Sequence, residues 1–272
     1  MRVRRGVVTR FLHVDGRPAV VRSAQRRDGT VLMRAEAKSA DDRERVLERM
    51  RFALGVDDDY RHVYDLFRRD RLLGSAMRGK PWHRPRRRPW AWEALAWSIT
   101  KQLIESGRAA AIQRRMVFRW GATREDADGL VLRDVPTAEL IASRSPAELA
   151  ATDLSPGRAL AMIRVAKEVC EGRVDPADAA DDRRLLAIRE IGPWTLQCLG
   201  FHGRGDPDSL PAGDLAFVKL VGRLAGLRRK ATVEEVEEFF APYEPYRGLA
   251  ATFALKGYHL GVEAGPPLRL AA

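Results

Sequence analysis

The apolar positions of this chain change period near residue 40. Before it, Val7-Val8-Thr9-Arg10-Phe11-Leu12-His13-Val14, Ala19-Val20-Val21-Arg22 and Val31-Leu32-Met33 are short runs rich in β-branched residues, broken at Asp15-Gly16 and Asp28-Gly29. Asp-Gly pairs suit the positive φ angles of tight hairpins, so these runs predict antiparallel strands. After Ser39-Ala40-Asp41-Asp42, a helix start, Val46, Leu47, Met50, Phe52, Ala53 and Leu54 fall on one helical face. Residues 1–75 are therefore expected to form a small antiparallel α+β domain.

From Pro89 onward the pattern predicts helices over about 90–105, 107–120, 136–143, 146–151, 156–171, 180–189, 193–202, 214–225, 232–241 and 246–262. The expected fold class is mainly α, with residues 76–272 forming a helical domain. Lys80-Pro-Trp-His-Arg-Pro-Arg-Arg-Arg88 is a proline-broken basic stretch. It reads as a linker whose arginines at 84 and 86–88 are available to a polyanion. No stretch of about 18 apolar residues occurs, so no membrane span is expected.

Charge sharpens the choice of partner. The 272 residues carry a formal charge of +11 and a sequence pI near 10.2, which favours a polyanion through release of its counterions. Cys170 and Cys198 cannot build a disulfide framework, and the five scattered histidines offer no metal-ligand spacing. No metal and no cofactor is expected, and a reducing, cytoplasmic compartment fits.

Two stretches carry the candidate chemistry. Leu185-Leu-Ala-Ile-Arg-Glu-Ile-Gly-Pro-Trp-Thr195 reads as a helix, a tight glycine hairpin and a second helix opening at Pro193. Such a turn leaves backbone N–H groups free where a phosphate can sit, although a hairpin alone reads equally well as a structural corner. Leu210-Pro-Ala-Gly-Asp-Leu215 ends in Asp214, ahead of the helical stripe Leu215, Val218, Val221 and Leu224. Asp214 is an N-cap candidate, and capping also keeps a carboxylate ionised for catalysis.

Together these stretches resemble the helix-hairpin-helix DNA glycosylase superfamily, and Ile191-Gly-Pro-Trp-Thr195 is most similar to its 3-methyladenine DNA glycosylase II, or alkylation-repair, branch. Arg189-Glu190 stands where the family commonly has Leu-Pro-Gly, so only the second hairpin glycine, Gly192, is kept, and Lys101 replaces a glycine ahead of Gln102. The lack of a four-cysteine cluster sets the chain apart from the iron–sulfur branches.

The resemblance implies that Asp214 stabilises an oxocarbenium-like sugar, that Trp194 and Trp97 border a base pocket, and that Leu103 is an apolar wedge beside Gln102. It further implies DNA contacts at Gln102, Leu103, Ile191, Gly192 and Thr195, the hairpin requiring glycine at 192 for its conformation or for close phosphate approach. Trp194 stands where the bifunctional 8-oxoguanine enzymes carry a Schiff-base lysine, which implies a monofunctional enzyme that leaves an abasic site. The implied activity is excision of damaged, alkylated purines from double-stranded DNA, initiating base excision repair. The alternatives are a glycosylase for deaminated or oxidised bases and a non-catalytic DNA-binding protein. A monomer in the cytoplasm, at the nucleoid of a prokaryote, with its site in the cleft between helical lobes, completes the expectation.

Overall fold

Arg5 and Gly6 have φ angles of 48° and 77°, and Asp15 and Gly16 have 48° and 74°. Two successive left-handed residues form the tight turn whose twist suits paired antiparallel strands. The computed structural model, which describes residues 1–126 and 129–259, accordingly has β1 (Arg2–Arg4), β2 (Val7–Val14), β3 (Arg17–Gln25) and β4 (Val31–Ala37) in one sheet in chain order. Alternation along the strands gives that sheet two apolar faces. Leu12, Val14, Ala19 and Val21 pack on Val46 and Met50 of helix α1 (Ala40–Leu54), while Phe11 and Val20 pack on Leu132. Leu132 lies on a small hairpin, β5 (Thr123–Glu125) with β6 (Val131–Arg133), which the sequence pattern did not announce. Ser39 caps α1 by accepting from the Asp42 N–H, and Gly55 ends it at φ 63°.

The remaining helices are α2 (Arg61–Phe67), α3 (Gly74–Gly79), α4 (Ala91–Lys101), α5 (Ser106–Trp120), α6 (Ala138–Ala142), α7 (Pro146–Ala150), α8 (Pro156–Cys170), α9 (Asp182–Leu186), α10 (Pro193–Leu199), α11 (Leu215–Leu224), α12 (Val233–Phe240) and α13 (Arg247–His259). The fold is mainly α with one small antiparallel sheet, as expected. Each helix expected after Pro89 is present; residues 260–262 of the last lie outside the described residues. The helix expected over 193–202 is α-helical only to Leu199 and continues as a π-helical turn, Gly200–Arg204.

The chain packs as two compact units, each made of two stretches: residues 1–56 with 88–191, and residues 57–87 with 192 onward. The division at residue 75 read from the sequence concerns consecutive segments and is not this division. In the first unit α4 is buried at every position from Glu93 to Thr100. Its Glu93, 1% exposed, takes Arg10 at 2.7 Å, Arg88 at 3.4 Å and the Trp97 indole N–H at 3.2 Å. Arg10 also lies 3.6 Å from Asp134, which bonds His13 at 2.8 Å.

The second unit closes around Leu73, Met77, Leu220, Val221, Val236, Phe240, Leu249 and Phe253. The basic stretch 80–88 is not a free linker, because its arginines have found partners. Arg84 lies 5.1 Å above the Tyr60 ring, Arg87 pairs with Asp58, the Arg86 carbonyl bonds His202 at 2.8 Å, and Arg88 reaches Glu93 within the first unit. His83 stands edge-on to Phe253 at 5.2 Å. Burial first, then the charges of Lys256, Lys80, Arg84 and Arg86, push its imidazole down to about 4.

Two stability measurements follow. Replacing Glu93 by Leu leaves Arg10 buried with a weaker partner and is expected to cost about 3 kcal/mol in urea unfolding. The unfolded chain binds the His83 proton near pH 6.5 and the folded chain only near 4, so stability from this group is complete above pH 6.5 and is lost as pH falls towards 4. His83→Gln should flatten that part of the stability-against-pH curve.

Candidate functional site

The hairpin after α9 is tightened by Ile188 N–H to Leu185 O and Ile191 N–H to Ile188 O, both at 3.0 Å. Its left-handed residue is Glu190, at φ 75°. Gly192 has φ −122° and ψ 179°, an extended backbone open to any residue, and a Cβ there would meet nothing within 4 Å. The conformational need for glycine at 192 is thus not observed; what the glycine provides is open space over the start of α10.

Two expected contacts change for the same kind of reason. The Ile191 N–H is consumed inside the turn and its side chain is 5% exposed, so it has no amide to offer a phosphate. Thr195 is 1% exposed, so its side chain faces the interior rather than a ligand. The N–H groups of Gly192 and Trp194, on either side of Pro193, have no hydrogen-bond partner among the described residues. Orphan donors at a helix start attract anions.

An anionic Glu190 in this turn would oppose a phosphate if it faced those donors. It faces elsewhere. A Cβ added to Gly157 would stand 2.9 Å from Glu190 Oε1, so the carboxylate rests against the second residue of α8. The N-cap of α8, Ser155, makes no side-chain capping bond, its Oγ accepting instead from Arg158 Nε at 2.8 Å. Glu190 therefore places its charge at the positive end of that helix. Sequence reasoning missed this role of Gly157 and Arg158, since Pro156-Gly157 reads only as a helix start.

α4 ends at Gln102, and Leu103 follows with φ 53° and its side chain wholly exposed. A leucine in the left-handed region costs about 1–2 kcal/mol, and here it gains no burial in return. Gln102 Nε2 donates to the Glu190 carbonyl at 2.6 Å, and the Gln102 carbonyl accepts from Arg158 at 2.9 Å. Burial, followed by the charge of Arg108, pulls the Arg158 guanidinium below its ordinary value, while Glu190 and Asp153 oppose that shift.

In the second unit, Asp214 is the N-cap of α11. Its Oδ1 accepts from the Ala216 N–H at 2.8 Å, whereas Oδ2 has no partner among the described residues. A Cβ on the preceding Gly213 would lie 3.5 Å from Trp194 Cδ1, so the indole runs beside the approach to Asp214. The Trp194 Nε1 is buried and has no hydrogen-bond partner among the described residues. Trp97 was also expected to border a base pocket. It is 5% exposed within the first unit, its N–H is held by Glu93, and it lines a cavity of about 740 Å³ together with Arg10, Phe11 and Arg133.

Comparison with known proteins adds context to this geometry. No family model matches the chain. It is 25% identical over 224 residues to a DNA-3-methyladenine glycosylase of Bacillus subtilis, covering 78% of this chain and 71% of that one. It is 26% identical over 225 residues to a Mycobacterium tuberculosis protein described as a "probable bifunctional transcriptional activator/DNA repair enzyme AlkA", covering 80% of this chain but only 44% of that protein. The solved structure of a 3-methyladenine DNA glycosylase from Archaeoglobus fulgidus superimposes with a TM-score of 0.82 at 23% identity, covering 95% of this chain and 89% of that one. At that identity the likeness is one of fold.

The exposed, left-handed leucine has a measurable signature. Leu103→Gly should raise folding stability by about 1 kcal/mol in urea denaturation, because strain relief outweighs the added freedom of the unfolded chain.

Proposed function

We propose that this chain, a member of the helix-hairpin-helix DNA glycosylase superfamily of the 3-methyladenine DNA glycosylase II type, is a monofunctional enzyme that hydrolyses the N-glycosidic bond of alkylated purines in double-stranded DNA. The observation that carries the reading is the division of labour in Asp214: one oxygen is fixed by the helix it caps and the other is unengaged among the described residues. A fixed anion with a free oxygen is what a developing sugar cation requires.

A purine methylated at N3 or N7 is cationic, so it leaves as a neutral base once the bond to C1′ breaks. The bonding electrons go to the base and positive charge builds on the deoxyribose. Asp214 would stabilise that charge, and water adding to C1′ with loss of its proton would leave an abasic site. Because alkylation has already activated the leaving group, no strong general acid is needed. The Trp194 ring would border the base, where an aromatic face attracts a cation by roughly 0.5–2 kcal/mol.

The remaining parts would serve access. Purines stacked in a duplex must be turned out at a cost of a few kcal/mol, and Leu103 would fill the space vacated. Gly192 and Trp194 amides would hold a backbone phosphate, with Gly192 contributing clearance. The B. subtilis relative, by name, supports the substrate class, and the M. tuberculosis relative, by name, supports DNA repair. We take the working form to be a monomer acting on cellular DNA.

Asp214→Asn should lower base release at least about a hundredfold, equivalent to about 2.7 kcal/mol of barrier, while binding to an abasic-site analogue largely persists. Wild-type turnover in that variant would remove Asp214 from the mechanism. Since Trp194 offers no amine, borohydride treatment during turnover should trap no covalent protein–DNA complex. A robust adduct, after blocking the N-terminal amine, would contradict the monofunctional reading.

A further inference from the structure

Gln102 occupies a position that the proposed chemistry leaves unexplained. It is the residue between α4 and the exposed Leu103, and it is held on two sides. Its side-chain amide reaches the carbonyl of Glu190 at 2.6 Å, and its own carbonyl receives the Arg158 guanidinium at 2.9 Å. Arg158 is itself fixed by Ser155 at 2.8 Å, in the same α8 start against which the Glu190 side chain rests. The leucine-bearing loop, the left-handed turn and the α8 N-terminus thus form one closed set of contacts inside the first compact unit.

We propose that Gln102 is a positioning residue that clamps Leu103 and the hairpin turn into a single preorganised element. Glu190 supplies the acceptor because its backbone is left-handed, and Gly157 supplies the seat that keeps its side chain there. Two adjacent residues of unfavourable conformation need such support: Leu103 at φ 53° and Glu190 at φ 75° are each held by a bond at Gln102 or at its neighbour. A strained element persists only where its surroundings determine it. Held in this way, Leu103 enters DNA in the geometry it already has, without the ordering cost that a loose loop would add.

The inference rests on the glycosylase reading for what Leu103 does, but the clamp is a property of the free protein. That separates the two in experiment. Gln102→Met keeps the shape of the side chain and removes the donor. In the full chain without DNA, the Ile191 amide, bonded within the turn to Ile188, should exchange hydrogen for deuterium at least about fivefold faster, with the melting temperature within about 2 °C of wild type. Gln102→Glu, which sets an acceptor against the carbonyl, should do the same to a greater extent. With a duplex carrying 2-aminopurine beside an abasic-site analogue, wedge insertion read by fluorescence should slow at least about tenfold in both variants.

Ile191 exchange within twofold of wild type in both variants would overturn the clamp, as would unslowed insertion. Slowed insertion with unchanged exchange would also overturn it, because Gln102 would then act by touching DNA. Failure of the wild-type protein to engage the abasic duplex at all would overturn the glycosylase reading, and the exchange measurement would still decide the clamp.

Discussion

The left-handed backbone at Glu190 governs how this site is assembled. Reversing the chain between α9 and α10 with one such residue turns its carbonyl towards Gln102 and lays its side chain on Gly157. The reversal also brings the chain to Gly192 in an extended conformation, at amides that no group among the described residues satisfies. A glycine would adopt the same φ without strain, and the chain uses glutamate instead. The cost is met by a helix start, α8, that lacks a side-chain cap and accepts the carboxylate. The glutamate charge is thereby placed on the positive end of a helix in its own unit.

The basic composition is shared between structure and surface. Arg10, Arg17, Arg87 and Arg247 each pair with an aspartate or glutamate of the chain, and Arg84 lies over an aromatic ring. Such guanidinium groups organise the fold and are not a reserve of counterion-releasing charge. The net charge of +11 still biases the protein towards polyanions.

The periodic parts of the fold were legible in the sequence. Asp15-Gly16 announced its hairpin, and the stripe from Leu215 to Leu224 announced both a helix and the aspartate that caps it. Some short elements were not, among them β5 and β6, with three residues each, and α3, with six, whereas the five-residue α6 and α7 were legible because Thr137 and Ser145 cap them. Trp97 could not be sorted from Trp194 by pattern, because only a buried partner 4 residues away, Glu93, distinguishes a core indole from one with an unpaired N–H. The bond from Gln102 to Glu190 joins positions 88 residues apart and involves a backbone carbonyl, which leaves no signature in side-chain spacing. The glycine at 192 misled for the opposite reason, since its value lies outside the protein, in the room it leaves.

The central claim is that the free oxygen of Asp214 and the open start of α10 serve the removal of an alkylated purine. Its most direct test is to incubate the full chain with separate duplexes carrying 3-methyladenine, 7-methylguanine, hypoxanthine or 8-oxoguanine and identify the released bases by mass. Release of free methylated purines with intact abasic strands, and at least about tenfold slower release of the uncharged bases, is the outcome the account predicts from cationic leaving-group activation. Release of 8-oxoguanine or hypoxanthine without release of methylated purines would contradict it, as would DNA binding without release of any base.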